Sequence, residues 1–145
     1  MADARVAGEG VEVWRRRVRF GDCDPAQIVY YPNYFRWVDE ACHALFERAG
    51  MPMRELDARF GVTLPIVNIE SNFMFPVMWD NEIAIESAVS RRGRTSLTVS
   101  HRILDAGTRK CVAEVNEVRV CVRTGPAVDG SIEVIPIPDE VRAAF

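Results

Sequence analysis

From Tyr34 onward, apolar residues recur three and four apart. Tyr34, Trp37, Val38, Ala41, Leu45 and Ala49 form one stripe, and Arg36, Glu40, Glu47 and Arg48 lie mostly off it. That spacing is one face of an α-helix, predicted over about 32–49. Pro32 suits the first turn, where its missing N–H would be unpaired anyway, and Gly50 followed by Pro52 is a natural stop. A second, short helix is predicted over 53–60, ended by Gly61. Past Gly61 the pattern becomes that of strands, over 64–75, 82–91, 95–105, 110–123 and a short 133–135. Turns fall at 76–81, 93 and 105–108. Ile83, Ile85 and Ser87 alternate with Glu82, Ala84 and Glu86, which predicts one wet face. Ahead of the helix, 11–20 mixes β-branched and aromatic residues with arginines and predicts another strand. Residues 1–9 are small and polar, a loose tail.

One long helix, one strand before it and several antiparallel strands after it make an α+β domain. The helix must lay its stripe on the sheet. A length of 145 residues suits a single domain with a sizeable core. The net charge of −3 gives nucleic-acid binding no electrostatic support from the whole chain. No apolar run resembles a signal peptide or is long enough to span a bilayer. Cys23, Cys42, Cys111 and Cys121 have no zinc-like spacing, and His43 and His101 have no metal-ligand company. A cytoplasmic protein with free thiols is the inference, with Cys42, Cys111 and Cys121 read as small core residues.

The chemistry concentrates in Phe20–Asn33, which reads Phe-Gly-Asp-Cys-Asp-Pro-Ala-Gln-Ile-Val-Tyr-Tyr-Pro-Asn. Two carboxylates, Asp22 and Asp24, precede a helix whose first turn carries unpaired N–H donors and the positive end of the dipole. A base beside such donors suits attack on a carbonyl. An Asp can act there as general base or as nucleophile. The plain alternative for Asp24-Pro25 is a simple turn. Tyr31 is the last N–H before Pro32, with Asn33 and Tyr34 after it. No Gly-x-Ser-x-Gly run supports Ser/His/Asp chemistry. Arg91, Arg92 and Arg94 surround Gly93, with Ser96 following, and could hold phosphates or form a solvated turn. Tyr30, Tyr31, Trp37, Phe73 and Phe75 could wall an acyl pocket, though most read as ordinary core.

The run Asp22-Cys23-Asp24-Pro25-Ala26, then Ile28 to Tyr34, then Arg36-Trp37 and Asp39, closely resembles the bacterial 4-hydroxybenzoyl-CoA thioesterases of the hot-dog fold. Weaker similarity continues to about residue 138. The resemblance implies an antiparallel sheet wrapped around one long central helix, over a single domain of residues 1–145. It implies a homodimer with sheets joined edge to edge, often assembled into a homotetramer, with active sites at the dimer interface. It also implies hydrolysis of an acyl-CoA to free acid and CoA without metal or other cofactor, coenzyme A being part of the substrate. Asp24 then matches the catalytic carboxylate, and the Tyr31 amide the donor that polarises the thioester carbonyl. Asp39 matches the residue approaching the ring hydroxyl. Its alternative is an exposed helix Asp paired with His43. Arg91, Arg92, Arg94 and Ser96 match the basic turn at the nucleotide end of CoA. Asp22 reads as structural, closing the loop.

Position 27 departs from the family: Gln27 stands where it usually has Gly, adding bulk and hydrogen-bonding capacity beside the reactive centre. That keeps a short-chain or other aliphatic acyl-CoA as the alternative substrate. Glu40 would be the carboxylate if the chain followed another hot-dog branch, which uses one on the helix. A non-catalytic acyl-CoA binding module and a dehydratase are further rivals. The first usually accompanies a DNA-binding domain, and the second usually implies a catalytic histidine near an acidic partner, a setting in which neither His43 nor His101 is expected to sit.

Overall fold

The computed structural model describes residues 11–125 and 129–145. The tail expected over 1–9 lies outside them. The helix α1 runs Pro32–Arg48 and buries Tyr34, Trp37, Val38, Ala41, Cys42, Leu45 and Phe46. Cys42 and Phe46 widen the stripe read from the sequence. Gly50, at φ 74°, ends the helix. Its N–H donates to Glu47 O and that of Met51 to Phe46 O, satisfying two carbonyls that the helix leaves unpaired. A 3-10 turn at Met53–Glu55 leads into α2, Leu56–Phe60. Gly61 closes α2 in the left-handed region, as its position suggested.

Among the described residues, seven strands occur in chain order: β1 Glu12–Arg17, β2 Val62–Thr63, β3 Ile66–Phe73, β4 Glu82–Arg92, β5 Ser96–Asp105, β6 Cys111–Val120 and β7 Val122–Arg123. Five form an antiparallel sheet in the order β1-β4-β5-β6-β3, and β2 pairs with β7. Several expectations need correction. The first strand is shorter, because Phe20–Asp22 turns into a 3-10 helix. The strand expected over 64–75 divides into β2 and β3 around Pro65. The one expected over 110–123 divides at Cys121, whose N–H leaves the ladder for Thr95 O. The element at 133–135 is reduced to a bridge between Val122 and Val134. A short α3, Asp139–Ala143, was not expected.

The helix lies on the face that carries Ile83, Ile85, Val99, Ile103 and Val115, all fully buried. The outer face of β4 is not wet as the alternation suggested. Ala84 and Glu86 are buried there too. Arg102 and Arg109 reach across β4 and bond the Glu86 carboxylate, so their long stems cover it. The apolar core falls into two clusters. One gathers Trp37, Val38, Ile85, Ile103 and Val115 around the first half of α1. The other gathers Cys42, Leu45, Phe46, Leu97, Val99 and Val141 around its second half. Edge strand β3 escapes this cover: all its residues but Ser71 are exposed.

Candidate active site

The loop before α1 folds as a closed hairpin rooted at Asp22. Arg16 Nη2 lies 3.1 Å from both Asp22 carboxylate oxygens, and the Arg19 N–H donates to Oδ2 at 2.8 Å. The Asp22 carbonyl accepts the Tyr30 N–H at 2.9 Å and Asn33 Nδ2 at 2.8 Å. The Arg16 guanidinium also sits 5.0 Å from the centre of the buried Trp37 ring. Asp22 therefore ties β1, the loop and the helix start together.

Asp24 occupies the far end of the same hairpin. Its N–H donates to Ile28 O at 2.9 Å, and its carbonyl accepts the Gln27 N–H at 2.8 Å. Its Oδ1 accepts the Ala26 N–H at 2.8 Å, closing an Asx turn. Oδ2 has no partner among the described residues, and the side chain is only half-buried. The turn reading of Asp24-Pro25 is thus correct for one carboxylate oxygen and leaves the other available. Gln27 adopts φ 65° with an exposed side chain. That conformation is one that glycine enters without strain, which gives a backbone reason for glycine at this place. Gln27 is held there by the Asp24 turn.

At the helix start, the Asn33 N–H donates to Tyr30 O at 2.9 Å and the Tyr34 N–H to Tyr31 O at 3.1 Å. Those two donors are consumed. Pro32 has none. The Tyr31 N–H has no acceptor among the described residues, so the helix terminus presents it alone. Tyr31 is one step beyond the Asp22–Tyr30 rung of the hairpin, and Asp24 is opposite Ile28 on the other side of that rung.

Further along α1, the Asp39 side chain is half exposed. Arg119 Nη2 donates to its Oδ1 at 2.9 Å, and His43 Nε2 is 3.7 Å from Oδ2. The expected His43 contact is present, but the stronger partner comes from β6. Glu40 is exposed. Arg91, Arg92 and Arg94 are exposed around the β4–β5 turn, and none forms an ion pair among the described residues. A Cβ at Gly93 would stand 2.9 Å from Ser96 Oγ and 3.1 Å from Ser96 O, so a larger residue there would make the turn shift. Of the five aromatics expected to wall an acyl pocket, only Trp37 is core. Tyr30, Tyr31, Phe73 and Phe75 are exposed, although the Phe73 ring lies 5.4 Å from that of Tyr34 on α1. Cys42 and Cys121 are buried as expected, but Cys111 is only partly so.

The thioesterase-like superfamily model matches residues 18–145. The chain belongs to that superfamily. It is 34% identical over 111 residues to the 4-hydroxybenzoyl-CoA thioesterase of Pseudomonas sp. strain CBS-3, covering 73% of this chain and 79% of that one. The solved structure of that Pseudomonas enzyme superposes with a TM-score of 0.82 at 28% identity, covering 93% of this chain and 99% of the other. A gentisyl-coenzyme A thioesterase superposes with a TM-score of 0.78 at 34% identity, over 92% and 99% of the two chains. The fold is the hot-dog fold, and the protein is a thioester hydrolase of that family.

This hot-dog thioesterase holds its loop with the Arg16 and Asn33 side chains, and holds Asp39 on the helix with Arg119, roles that the sequence did not single out. Arginines in a strand and an Asn after Pro32 carry no signal by themselves. His101 and Glu117 were likewise invisible as a pair, since sixteen residues separate them and only the β5–β6 register brings them together. Burial pushes the Glu117 carboxyl up, but His101, the Arg119 charge and the Cys42 thiol around it prevail and hold it down at about 2. Burial, reinforced by the Glu117 charge, keeps the Cys42 thiol protonated. No helix among the described residues is long and apolar enough to cross a membrane.

Proposed function

We propose that this thioesterase hydrolyses a hydroxylated aromatic acyl-CoA, releasing the free acid and CoA, with Asp24 as catalytic carboxylate and the Tyr31 N–H as oxyanion donor. The observation that carries this reading is the free Tyr31 N–H at the start of α1, on the loop whose Asp24 keeps one carboxylate oxygen unbonded. Asp24 Oδ2 either draws a proton from an attacking water or attacks the carbonyl itself. Both routes break the C–S bond through an intermediate with negative charge on the carbonyl oxygen, and in the second a water then hydrolyses the mixed anhydride left on Asp24, releasing the acid and restoring the carboxylate. A backbone donor at the positive end of a helix stabilises that charge. The thiolate leaves and takes a proton from solvent.

Two relatives described above act, by name, on 4-hydroxybenzoyl-CoA and gentisyl-CoA, and both acyl groups are ring-hydroxylated benzoyl units. Asp39 is eight residues past Tyr31, roughly 12 Å along the axis at 1.5 Å per residue. A ring running from the carbonyl along α1 would bring its hydroxyl towards that carboxylate. Thiol release from 4-hydroxybenzoyl-, benzoyl- and short aliphatic acyl-CoA tests the assignment. The hydroxylated ester should have the highest kcat/KM, and Asp39→Ala should penalise it more than benzoyl-CoA. An aliphatic ester turned over fastest would reject the aromatic reading.

Arg91, Arg92 and Arg94 are proposed to hold the CoA phosphates, with Ser96 in the same turn. Their exposed, unpaired guanidinium groups suit bidentate phosphate contacts. Replacing all three with Ala should raise KM for CoA esters at least about tenfold, given the strength of charge-assisted bonds. Pantetheine esters, which lack the nucleotide, should be much less affected. Equal effects on both esters would exclude a phosphate contact.

A homodimer is proposed through β3. The opposite edge, β1, carries Arg15, Arg16 and Arg17, the kind of charge that discourages strand addition. β3 instead exposes Ile66, Val67, Ile69 and Phe73, with Met74 and Phe75 following. Sedimentation should give at least twice the chain mass of 16.4 kDa. A monomer at micromolar concentration would remove this interface from the account.

A further inference from the structure

Between the two apolar clusters runs a belt of polar side chains. Ser87 on β4, His101 on β5 and Glu117 and Arg119 on β6 all point under α1, and none is more than 5% exposed. Ser87 Oγ is 2.7 Å from His101 Nδ1, and His101 Nε2 is 3.7 Å from Glu117 Oε1. Arg119 Nε donates to Glu117 Oε1 at 2.8 Å. Apolar residues of similar volume would often be as stable there, or more so. The belt therefore calls for an explanation other than stability.

That explanation lies at its outer end. Each guanidinium nitrogen of Arg119 has one main acceptor: Nε to Glu117, Nη1 to Leu64 O at 3.0 Å, and Nη2 to Asp39 Oδ1 at 2.9 Å. A planar fork fixed at three corners has no freedom left. It pins Asp39 by one oxygen and leaves Oδ2 with His43, at 3.7 Å, as its one charged neighbour among the described residues, on a side chain 52% exposed. Cys42, His101 and Glu117 do bring one potential metal ligand each within 4.8 Å of the others. A metal cation there would stand against the Arg119 guanidinium, which already neutralises Glu117. The belt is better read as the support of the arginine.

We propose that Arg119, braced by Glu117, is a positioning residue that holds Asp39 Oδ2 as the acceptor for a hydroxyl on the acyl ring, and so sets selectivity for hydroxylated aromatic thioesters. This deepens the function proposed above and rests on Asp39 meeting the substrate. The test is the ratio of kcat/KM for 4-hydroxybenzoyl-CoA to that for benzoyl-CoA. It is measured in wild type, Asp39→Ala, Arg119→Lys and the charge-neutral double variant Glu117→Gln/Arg119→Met. Lysine cannot reproduce the three-cornered fork. The double variant leaves no buried ion unpaired, so it serves if Arg119→Lys folds poorly. Both should lower the ratio about tenfold or more, the worth of a bond to a charged group. The loss should lie mainly in KM for the hydroxylated ester. Adding Arg119→Lys to Asp39→Ala should lower the ratio no further, since the two act as one unit. Equal losses on both esters would mean a structural role only and overturn the proposal. An unchanged ratio in the Arg119 variants, with Asp39→Ala still lowering it, would overturn the arginine's role and leave Asp39 in place. An unchanged ratio in Asp39→Ala would reject the underlying substrate reading as well.

Discussion

Asp24→Asn should lower kcat for 4-hydroxybenzoyl-CoA by about 10²- to 10⁴-fold, the span that a positioned carboxylate contributes to proton transfer. The substitution is clean for a structural reason. Asp24 Oδ1 closes the Asx turn by accepting the Ala26 N–H. Asparagine keeps that oxygen and replaces only Oδ2, the atom without a partner. The loop should therefore stay folded, with a thermal midpoint close to wild type. Asp24→Ala also removes the turn's acceptor. It should match the loss of turnover and, in addition, lower stability by about 1 kcal/mol, the net worth of one hydrogen bond. Thiol release followed with a chromogenic reagent, alongside thermal melting, separates the two effects. Near-normal turnover in Asp24→Asn would exclude Asp24 from the chemistry.

Tyr31→Pro should lower kcat by about 10²- to 10³-fold, the effect of losing one oxyanion donor. A backbone N–H is ordinarily beyond mutagenesis, but here proline removes it. Tyr31 already has φ −55°, within the range that the proline ring imposes. Its N–H makes no hydrogen bond among the described residues, so no structural bond is lost. Tyr31→Ala is the control for the side chain, which is exposed, and should retain most of the wild-type turnover. Equal losses in the proline and alanine variants would assign the effect to the ring and remove the N–H from the mechanism.

What the sequence disclosed follows from what is local. The stripe of α1, its Pro32 start and its Gly50 end depend on neighbours within a few residues, and they stand where the periodicity put them. The loop and helix junction was legible as a motif for the same reason. Errors came where distant segments decide. Glu86 reads as a wet-face residue until β5 supplies Arg102 across the ladder and Arg109 from the following turn. The strand over 110–123 reads as continuous, yet the pull of Thr95 on Cys121 divides it. Tyr30, Phe73 and Phe75 looked like core by chemistry alone, but all three stay exposed, even Phe73, whose ring meets Tyr34 and Phe35 of α1 on one side. Arg119 gave no local sign at all. Its significance comes from Asp39, eighty residues away, and from Glu117, which looks like a surface residue in a list of strand positions.

The central claim is that the thioester carbonyl comes to rest between the Asp24 side chain and the Tyr31 amide. A crystal structure of the Asp24→Asn protein with 4-hydroxybenzoyl-CoA bound tests it most directly. The account predicts the carbonyl oxygen within about 3 Å of Tyr31 N, the reach of an oxyanion donor, with the residue-24 side chain facing the carbonyl carbon. A thioester bound with its carbonyl turned away from the start of α1, or out of reach of residue 24, would contradict it.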